Sequence, residues 1–475
     1  MIPYETDSRK VKQGDIFVAI KGHTVDGHKY INQAVENGAS KLIVSEIGNY
    51  PIESTVVNDT EEYLKNELVN EYADDFEDMK FIGVTGTNGK TTTCYLTYQL
   101  LNQLGAKAAY IGTIGFYYGD VKKELPNTTP DILTLYKLIE EAKDAGCTHI
   151  VMEVSSHALA MDRIAGLSYD VAAFTNLTQD HLDYHKTMDN YLRTKMQILD
   201  KIKKNGHMIV NYDDPHADYF IRDDVNIYTS GIGANKEAFY NIVGAKYEPG
   251  HTKIGFREGV LFDREIDTNL TSKFNVYNYM TSYAILRALG YRFEDIKEAT
   301  KNVYPPNGRC EIIPVNNGYA VVDYAHTPDA VEKICTAMNN LKGDAKTITV
   351  VGCGGDRDPL KRPIMGEIAC KNSDHVIFTN DNPRTEDPEL IMYDIVKDLK
   401  YDNYEIELDR TKAIRKGIEL LNPNDILLVL GKGHEDYQII GHDKIHLDDH
   451  EIINDWKKEH TKVLRKELKP EDKKN

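Results

Sequence analysis

The sequence predicts an α/β protein of three units, the middle one a doubly wound parallel sheet. Three observations carry this expectation. The 475 residues are the length of about three ordinary domains. From Lys80 onward, short apolar runs alternate with stretches of helical periodicity, the pattern of βαβ units. The polar, glycine-containing segments follow those apolar runs, at the strand ends where open α/β sheets gather ligands.

In the first unit, residues 1–79, Asp15 to Ile20 and Lys41 to Ser45 read as strands around a helical Tyr30 to Asn37. The acidic run Glu71 to Asp78 reads as a solvated linker. The second unit, 80–309, opens with a strand at Phe81 to Val84 and a helix from Thr91 to Leu104, stopped by Gly105. A helix at Pro130 to Ala145 has Pro in its first turn and Gly146 after its end. Strands at Ile150 to Val154 and Val171 to Thr175, a helix at Met188 to Lys203 and a strand at Met208 to Asn211 continue the alternation. In the third unit, 310–475, strands at Thr347 to Val351, Val376 to Thr379 and Ile426 to Leu430 each run into a polar loop. The tail Lys457 to Asn475 reads as a solvated helix end.

Composition narrows the function. Hydrophobic content of 41% and charged content of 28% are those of a water-soluble globular protein. A net charge of −18 lacks the cation excess of a general nucleic-acid binder, yet leaves room for a local nucleotide site. The six cysteines have no metal-ligand spacing, so reduced thiols and a cytoplasmic location are expected. Met1-Ile2-Pro3-Tyr4-Glu5 has neither the basic region nor the apolar core of a signal peptide. No apolar run is long enough for a membrane span, so membrane insertion is not expected.

The most informative segment is Gly83-Val84-Thr85-Gly86-Thr87-Asn88-Gly89-Lys90-Thr91-Thr92-Thr93. A loop between strand and helix presents backbone N–H groups and the positive end of the helix dipole to a polyphosphate. Gly86 and Gly89 allow close backbone approach, Lys90 adds a charge, and the Thr91 hydroxyl can reach Mg²⁺. The loop is more compact than the usual pattern, with Val84 where the first glycine stands. Glu153-Val154-Ser155-Ser156-His157 ends a strand, and a carboxylate there can ligate Mg²⁺ or orient water. No Gly-x-Ser-x-Gly accompanies it, which argues against a serine hydrolase. Thr175 to His185 is rich in oxygen and imidazole donors, though a run of helix-capping residues reads equally well. A zinc site is conceivable there, but hard oxygens beside a nucleotide favour Mg²⁺. Gly352-Cys353-Gly354-Gly355-Asp356-Arg357 is not a dinucleotide fingerprint, because its third glycine would fall on Arg357.

Taken together, these segments resemble the Mur ligases, the ATP-dependent amide-forming family that builds the peptidoglycan stem peptide. The resemblance runs through Thr-Gly-Thr-Asn-Gly-Lys-Thr-Thr, Glu-Val-Ser-Ser-His and Asn-Leu-Thr-Gln-Asp-His-Leu-Asp-Tyr-His. It continues in Phe274-Asn275-Val276-Tyr277-Asn278, Asn307-Gly308-Arg309 and Asp323-Tyr324-Ala325-His326-Thr327-Pro328-Asp329. Thr6-Asp7-Ser8-Arg9 and Gly22-His23 are similar to the UDP-binding segment of the third ligase of that pathway. The resemblance implies a small N-terminal UDP-binding α/β domain, a central P-loop ATPase domain and a C-terminal Rossmann-like domain. It implies a cytoplasmic monomer with no nucleic-acid partner.

The implied reaction activates the D-Glu γ-carboxylate of UDP-MurNAc-L-Ala-D-Glu as an acyl phosphate, which an amino acid's amine then attacks. By resemblance, ATP meets Gly86, Thr87, Asn88, Gly89, Lys90, Thr91, Thr92, Asn278, Arg309, Asp323 and His326. Thr91 and Glu153 hold one Mg²⁺, and His181 helps hold a second. Lys195, by its own pattern a solvated helix lysine, corresponds to a lysine the family carries as a CO₂-derived carbamate. Ser8, His23, Thr24 and Val25 correspond to contacts with the UDP end, and Asn127, Thr128, Thr129, Ser155 and Arg163 to contacts with the muramoyl dipeptide. Met161 stands where some relatives have Gln. Asp381-Asn382-Pro383-Arg384 resembles the motif of members that add meso-diaminopimelate, with Arg357, Gly431 and Glu435 beside it; lysine-adding members lack that Arg. The alternatives are a lysine-adding ligase of the same family, folylpolyglutamate synthetase, with a similar phosphate loop, and a non-catalytic nucleotide-binding regulator.

Overall fold

Four short parallel strands open the chain: β1 (Tyr4–Glu5), β2 (Ile16–Val18), β3 (Lys41–Val44) and β4 (Ser54–Val56). The computed structural model describes residues 1–22, 25–222, 227–234, 237–260 and 262–467. They fall into two units, Met1–Tyr240 with Met280–Ile296, and Asn241–Tyr279 with the chain from Lys297 onward.

In the first unit the small sheet precedes a larger one. Its strands are β5 (Lys80–Thr85), β6 (Ala108–Gly112), β7 (Gly115–Tyr118), β8 (Val121–Lys123), β9 (His149–Glu153), β10 (Tyr169–Phe174), β11 (Ile202–Asn211) and β12 (Ile227–Gly233). They lie in the order β12-β11-β10-β5-β9-β6-β7-β8, parallel from β12 to β6 and antiparallel through β7 and β8. The strand order reverses around β5. Its neighbours pair Val84 with Glu153 and Thr85 with Phe174, so three carboxyl ends coincide. β5, β9 and β10 are near-continuous apolar runs because helices cover both faces of a parallel sheet.

Three expected elements change in the structure. The acidic run read as a linker is the end of helix Thr60–Tyr72 followed by a 3₁₀ turn at Asp74–Phe76. Its phenylalanine decides this: Phe76 is 3% exposed and packs edge-on against Tyr136, with ring centroids 5.5 Å apart. The helix expected from Pro130 starts at Ile132, with the Asp131 carboxylate accepting the Thr134 N–H as its cap. The helix expected over Met188 to Lys203 ends at Met196, tightens to a 3₁₀ turn at Gln197–Lys201, and β11 begins at Ile202. The polar run Lys203-Lys204-Asn205-Gly206 hides that strand, since its register against β10 shifts and Asn205 takes a φ of +63°.

In the second unit, β13 (Tyr240–Glu248) leads to the antiparallel pair β14 (His251–Glu258) and β15 (Phe262–Thr268). A six-stranded sheet follows, made of β16 (Glu311–Val315), β17 (Gly318–Asp323), β18 (Thr347–Val351), β19 (His375–Phe378), β20 (Tyr404–Ile406) and β21 (Ile426–Leu430). Its order is β16-β17-β21-β18-β19-β20, parallel except for β16. β22 (Tyr437–Ile440) and β23 (Asp443–His446) form a hairpin, and helix Asp449–Glu467 closes the described chain. Apolar clusters cover both faces of the sheet, one around Ile334, Met365 and Phe378, the other around Ile414, Leu427 and Trp456.

A fully buried ion pair pins the carboxyl end of β21. Arg410 donates to both oxygens of Asp449 at 2.8 and 2.7 Å and to the Leu430 carbonyl at 3.0 Å. Removing one partner of such a pair strands the other charge without water. Arg410→Met is therefore expected to destabilise the second unit by about 3–5 kcal/mol, and Arg410→Met with Asp449→Leu by much less. Urea titration followed by the fluorescence of Trp456, the chain's one tryptophan, measures both.

Candidate active site

The phosphate loop leaves β5 at Gly86 and enters helix Lys90–Gln103. Gly89, the helix N-cap, has a φ of +88°, in the region that glycine adopts most easily. At Gly86 a Cβ would collide with the Thr175 hydroxyl. The loop is clamped from the strand end after β10. The Thr87 N–H donates to Asn176 O at 2.8 Å and the Asn88 N–H to Asn176 Oδ1 at 2.9 Å. Asn176 Nδ2 and Thr175 Oγ1 donate to Asn88 O at 3.0 and 2.7 Å. Lys90 Nζ closes onto Gly86 O at 3.0 Å and Thr87 O at 2.9 Å. Thr91 and Thr92 are buried at the start of the helix.

Behind the loop stands Glu153, fully buried. Thr91 Oγ1 donates to its Oε2 at 3.0 Å, and Thr113 Oγ1 to the same oxygen at 3.2 Å. Tyr110 OH and the Thr113 N–H donate to Oε1 at 2.6 and 2.8 Å. Burial, and then the charge of Glu153, push the Tyr110 phenol well above its ordinary value, so it stays a proton donor. Tyr110 and Thr113 escaped the sequence reading: one is a tyrosine in an apolar strand, the other a threonine in a turn. Hard oxygens converging beside a phosphate loop are a donor set that fits Mg²⁺.

Lys195 is not the solvated helix lysine its pattern suggested. It is 1% exposed, its Nζ donating to Gly86 O at 2.8 Å and lying 4.7 Å from the centre of the Tyr191 ring. One carbonyl therefore serves both Lys90 and Lys195. Burial, and then the charge of Lys90, hold the Lys195 ammonium well below its ordinary pKa. Tyr191 OH lies 3.2 Å from Thr87 Oγ1. His181 is exposed at the head of helix Leu182–His185, with a φ of +54°, its ring 6.3 Å from Tyr191 and 4.9 Å from His157. The fold thus brings the phosphate loop, Glu153, His181 and Lys195 together.

The residues expected around the dipeptide surround the same strand ends. Thr128 Oγ1 is 3.0 Å from Thr113 Oγ1. Thr129 Oγ1 donates to Glu153 O at 2.7 Å and accepts the Ser155 N–H, while Arg163 donates to Thr129 O at 2.9 Å. Ser155 caps helix Ser156–Ala160 by accepting the Ala158 N–H. Asn127 is exposed beside them. In the connections of the small sheet, Ser8 is buried and donates to Gln33 Oε1 at 2.7 Å, and Val25 is exposed. His23 and Thr24 lie outside the described residues.

The second unit gathers its own cluster at the carboxyl ends of β17, β18, β19 and β21. Asp323 accepts the Cys310 and Ala325 N–H groups at 2.7 and 2.8 Å. Arg309 stacks 4.6 Å from the centre of the Tyr324 ring, and His326 Nδ1 donates to Tyr324 O at 2.8 Å. Asn278, in the same unit, donates to Asn275 Oδ1 at 3.0 Å. Asn382 Nδ2 and Lys432 Nζ both donate to Glu435 Oε2, at 3.0 and 3.1 Å, and Lys432 is 0% exposed. A Cβ on Gly431 would press on the Asp381 carboxylate, and one on Gly355 would collide with Pro383 O. Arg384 holds a φ of +51°, its backbone bridged to Ile439 and Gly441, and donates to Gly355 O at 2.8 Å. A Cβ on Gly354 would meet both the Arg384 guanidinium and the stem of exposed Arg357. Lys432, buried behind Glu435, is the member that sequence reasoning missed; a lysine between two glycines carries no signal of burial.

A nucleotide-type phosphate loop backed by a buried carboxylate, on a doubly wound sheet, defines an α/β phosphoryl-transfer enzyme. The family models for the Mur ligase family catalytic domain, the Mur ligase middle domain and the Mur ligase glutamate ligase domain match residues 4–76, 84–286 and 308–433. The chain is 42% identical over 469 residues to the UDP-N-acetylmuramoyl-L-alanyl-D-glutamate--2,6-diaminopimelate ligase of Clostridium botulinum, covering 96% of this chain and 95% of the relative. It is 40% identical to the enzyme of that name from Bacillus cereus, covering 95% and 93%. A solved structure of a UDP-N-acetylmuramoyl-L-alanyl-D-glutamate--2,6-diaminopimelate ligase matches with a TM-score of 0.68 at 29% identity, over 97% of this chain and 95% of that one. The Thermotoga maritima MurF ligase, solved with ADP, shares the fold with a TM-score of 0.69 at 20% identity, over 97% and 98%. The chain belongs to the Mur ligase family.

One titrating group supports the loop that carries Arg309. His450 sits between Glu311 Oε2 at 2.8 Å and Asp448 Oδ1 at 3.1 Å, and the same Glu311 oxygen accepts the Gly308 N–H. Burial opposes its charge, but the two carboxylates outweigh burial and push its pKa from 6.5 up to about 10. The folded protein then keeps a proton that the unfolded chain releases, so this contribution is full below pH 6.5 and is lost as pH rises through about 10. Urea midpoints read from Trp456 are expected to fall across that window in the wild type and to stay flatter in His450→Gln.

Proposed function

We propose that this chain is an ATP-dependent ligase that joins meso-diaminopimelate to the D-Glu γ-carboxylate of UDP-MurNAc-L-Ala-D-Glu, in peptidoglycan synthesis. The γ-carboxylate attacks the γ-phosphorus of ATP, the bond to ADP breaks, and an acyl phosphate forms. The amine of the incoming amino acid then attacks the acyl carbon, phosphate departs, and the nitrogen loses a proton. The first step brings anions together, so its barrier is electrostatic. Lys90 exchanges its loop carbonyls for phosphate oxygens, and the N–H groups at the helix start add their partial charge.

Thr91 and Glu153 would hold one Mg²⁺, and His181 with the carbamate of Lys195 a second; bound there, the ions neutralise charge on the transferring phosphoryl group. The depressed pKa of Lys195 supports the carbamate. Its neutral amine can add to CO₂, losing a proton and becoming an anionic oxygen donor, whereas an ammonium can do neither. Protein incubated with ¹³C-bicarbonate is expected to show one carbamate resonance that Lys195→Ala abolishes together with turnover.

The observation that carries the choice of amino acid is the pair Arg357 and Arg384 flanking Gly354, with Arg384 held at positive φ. A strained backbone held by neighbouring hydrogen bonds is a common mark of a functional position. Diaminopimelate is lysine with one more carboxylate, and two guanidiniums suit that group. Lysine would set its ammonium against them, and a site built for a polar group can reject the analogue lacking it by about 10⁴-fold. Asp381, Asn382, Gly431 and Glu435 would receive the amino-acid ammonium end. With UDP-MurNAc-L-Ala-D-Glu, ATP and Mg²⁺ supplied, competition is expected to incorporate diaminopimelate and exclude lysine. Arg384→Ala should raise the KM for diaminopimelate at least tenfold with the KM for ATP nearly unchanged; preferential lysine incorporation by the wild type would overturn the assignment.

A further inference from the structure

Glu153 has two oxygens, and the fold treats them differently. Oε1 takes two donors whose heavy atoms the fold holds in place: the Tyr110 hydroxyl at 2.6 Å, on a packed ring, and the Thr113 backbone N–H at 2.8 Å. Among the described residues, Oε2 accepts from the hydroxyls of Thr91 and Thr113. Hydroxyls rotate and also carry lone pairs, so they can share that oxygen with an incoming cation. A backbone N–H has no such freedom. Tyr110 is fully buried, and its ring is held among Tyr95, Tyr98 and Tyr117 at centroid distances of 6.0, 6.3 and 5.7 Å. Gly112 makes the contact possible, because a Cβ there would collide with both Glu153 Oε1 and the Tyr110 hydroxyl.

We propose that Tyr110 is a positioning residue that locks Oε1 of Glu153, so that the carboxylate offers the cation Oε2 alone. The inference rests on the reading of Glu153 as a Mg²⁺ ligand. A carboxylate with both oxygens available can grip one ion with both, a geometry Ca²⁺ accepts readily. Mg²⁺ is smaller and demands near-octahedral geometry at short distance. Locking one oxygen therefore favours the smaller ion as well as orienting the ligand. The hydrogen bonds of such supporting residues commonly account for about 10–100-fold in metal affinity.

The test is Mn²⁺ binding measured by electron paramagnetic resonance on the full chain with ADP, for wild type, Tyr110→Phe, Gly112→Ala and Glu153→Gln, with Ca²⁺ as competitor. Tyr110→Phe is expected to weaken Mn²⁺ by about 10-fold and to let Ca²⁺ displace it at lower relative concentration. Gly112→Ala keeps both side chains but puts a methyl group between them, and should reproduce the loss; it also serves if Tyr110→Phe does not fold. In turnover assays the Mg²⁺ concentration for half-maximal rate should rise while the rate at saturating Mg²⁺ changes less. If Glu153→Gln loses Mn²⁺ while the other two bind it as the wild type does, the role of Tyr110 is overturned. If Glu153→Gln itself binds as the wild type does, the reading of Glu153 as a ligand falls instead.

Discussion

The register of three strands is the constraint on which the first unit depends. β5 carries the phosphate loop, β9 ends in Glu153, and β10 leads into the clamp of Thr175 and Asn176. Side chains alternate along a strand, so a slip of one residue would turn Glu153 to the other face of the sheet. The carboxylate would then leave Thr91, and the loop would lose its backing. The ladders that β5 shares with β9 and β10, and the close packing of the buried side chains on both faces, oppose that slip. Packing thus positions the carboxylate, and the polar residues inherit that placement.

Electrostatics adds a second constraint at the same place. The carbonyl of Gly86 accepts hydrogen bonds from both Lys90 and Lys195. Two ammonium groups so close, one wholly buried, cannot both hold their protons at ordinary cost. Burial decides which yields, and Lys195 is the buried one. A residue type normally found in solvent is thereby biased towards its neutral amine by its surroundings, with no change in its own chemistry. Lys432 in the second unit is a contrasting case. It is equally buried, but it has Glu435 and the oxygen of Asn382 as partners. There the cation supports a carboxylate and aims it, much as Tyr110 does for Glu153 in the first unit.

Local sequence carried much of this. The phosphate loop, the central strands β5, β9, β10, β18, β19 and β21 and the polar loops after them were legible because each is written in consecutive residues: apolar runs, glycines at turns, a lysine and a threonine at a helix start. The misread elements share a physical cause. Phe76 in an acidic run, the polar start of β11 and the early end of the helix at Met196 all depend on partners distant in sequence. A periodicity over a short window does not register them.

By itself the sequence determined the kind of chemistry. A compact phosphate loop, a carboxylate at a strand end and an arginine after Asp-Asn-Pro are statements about residue type and order, and order along the chain suffices for them. Only the tertiary structure decided the states of those residues. It placed Lys195 out of water beside Lys90, gave Glu153 one locked oxygen through Tyr110, and committed the Thr129 hydroxyl to holding a strand end and that of Ser155 to capping a helix. The reason is that protonation, ligand geometry and hydrogen-bond commitment depend on burial and on neighbours within a few ångströms, and those neighbours are supplied by strands and turns far apart in the chain.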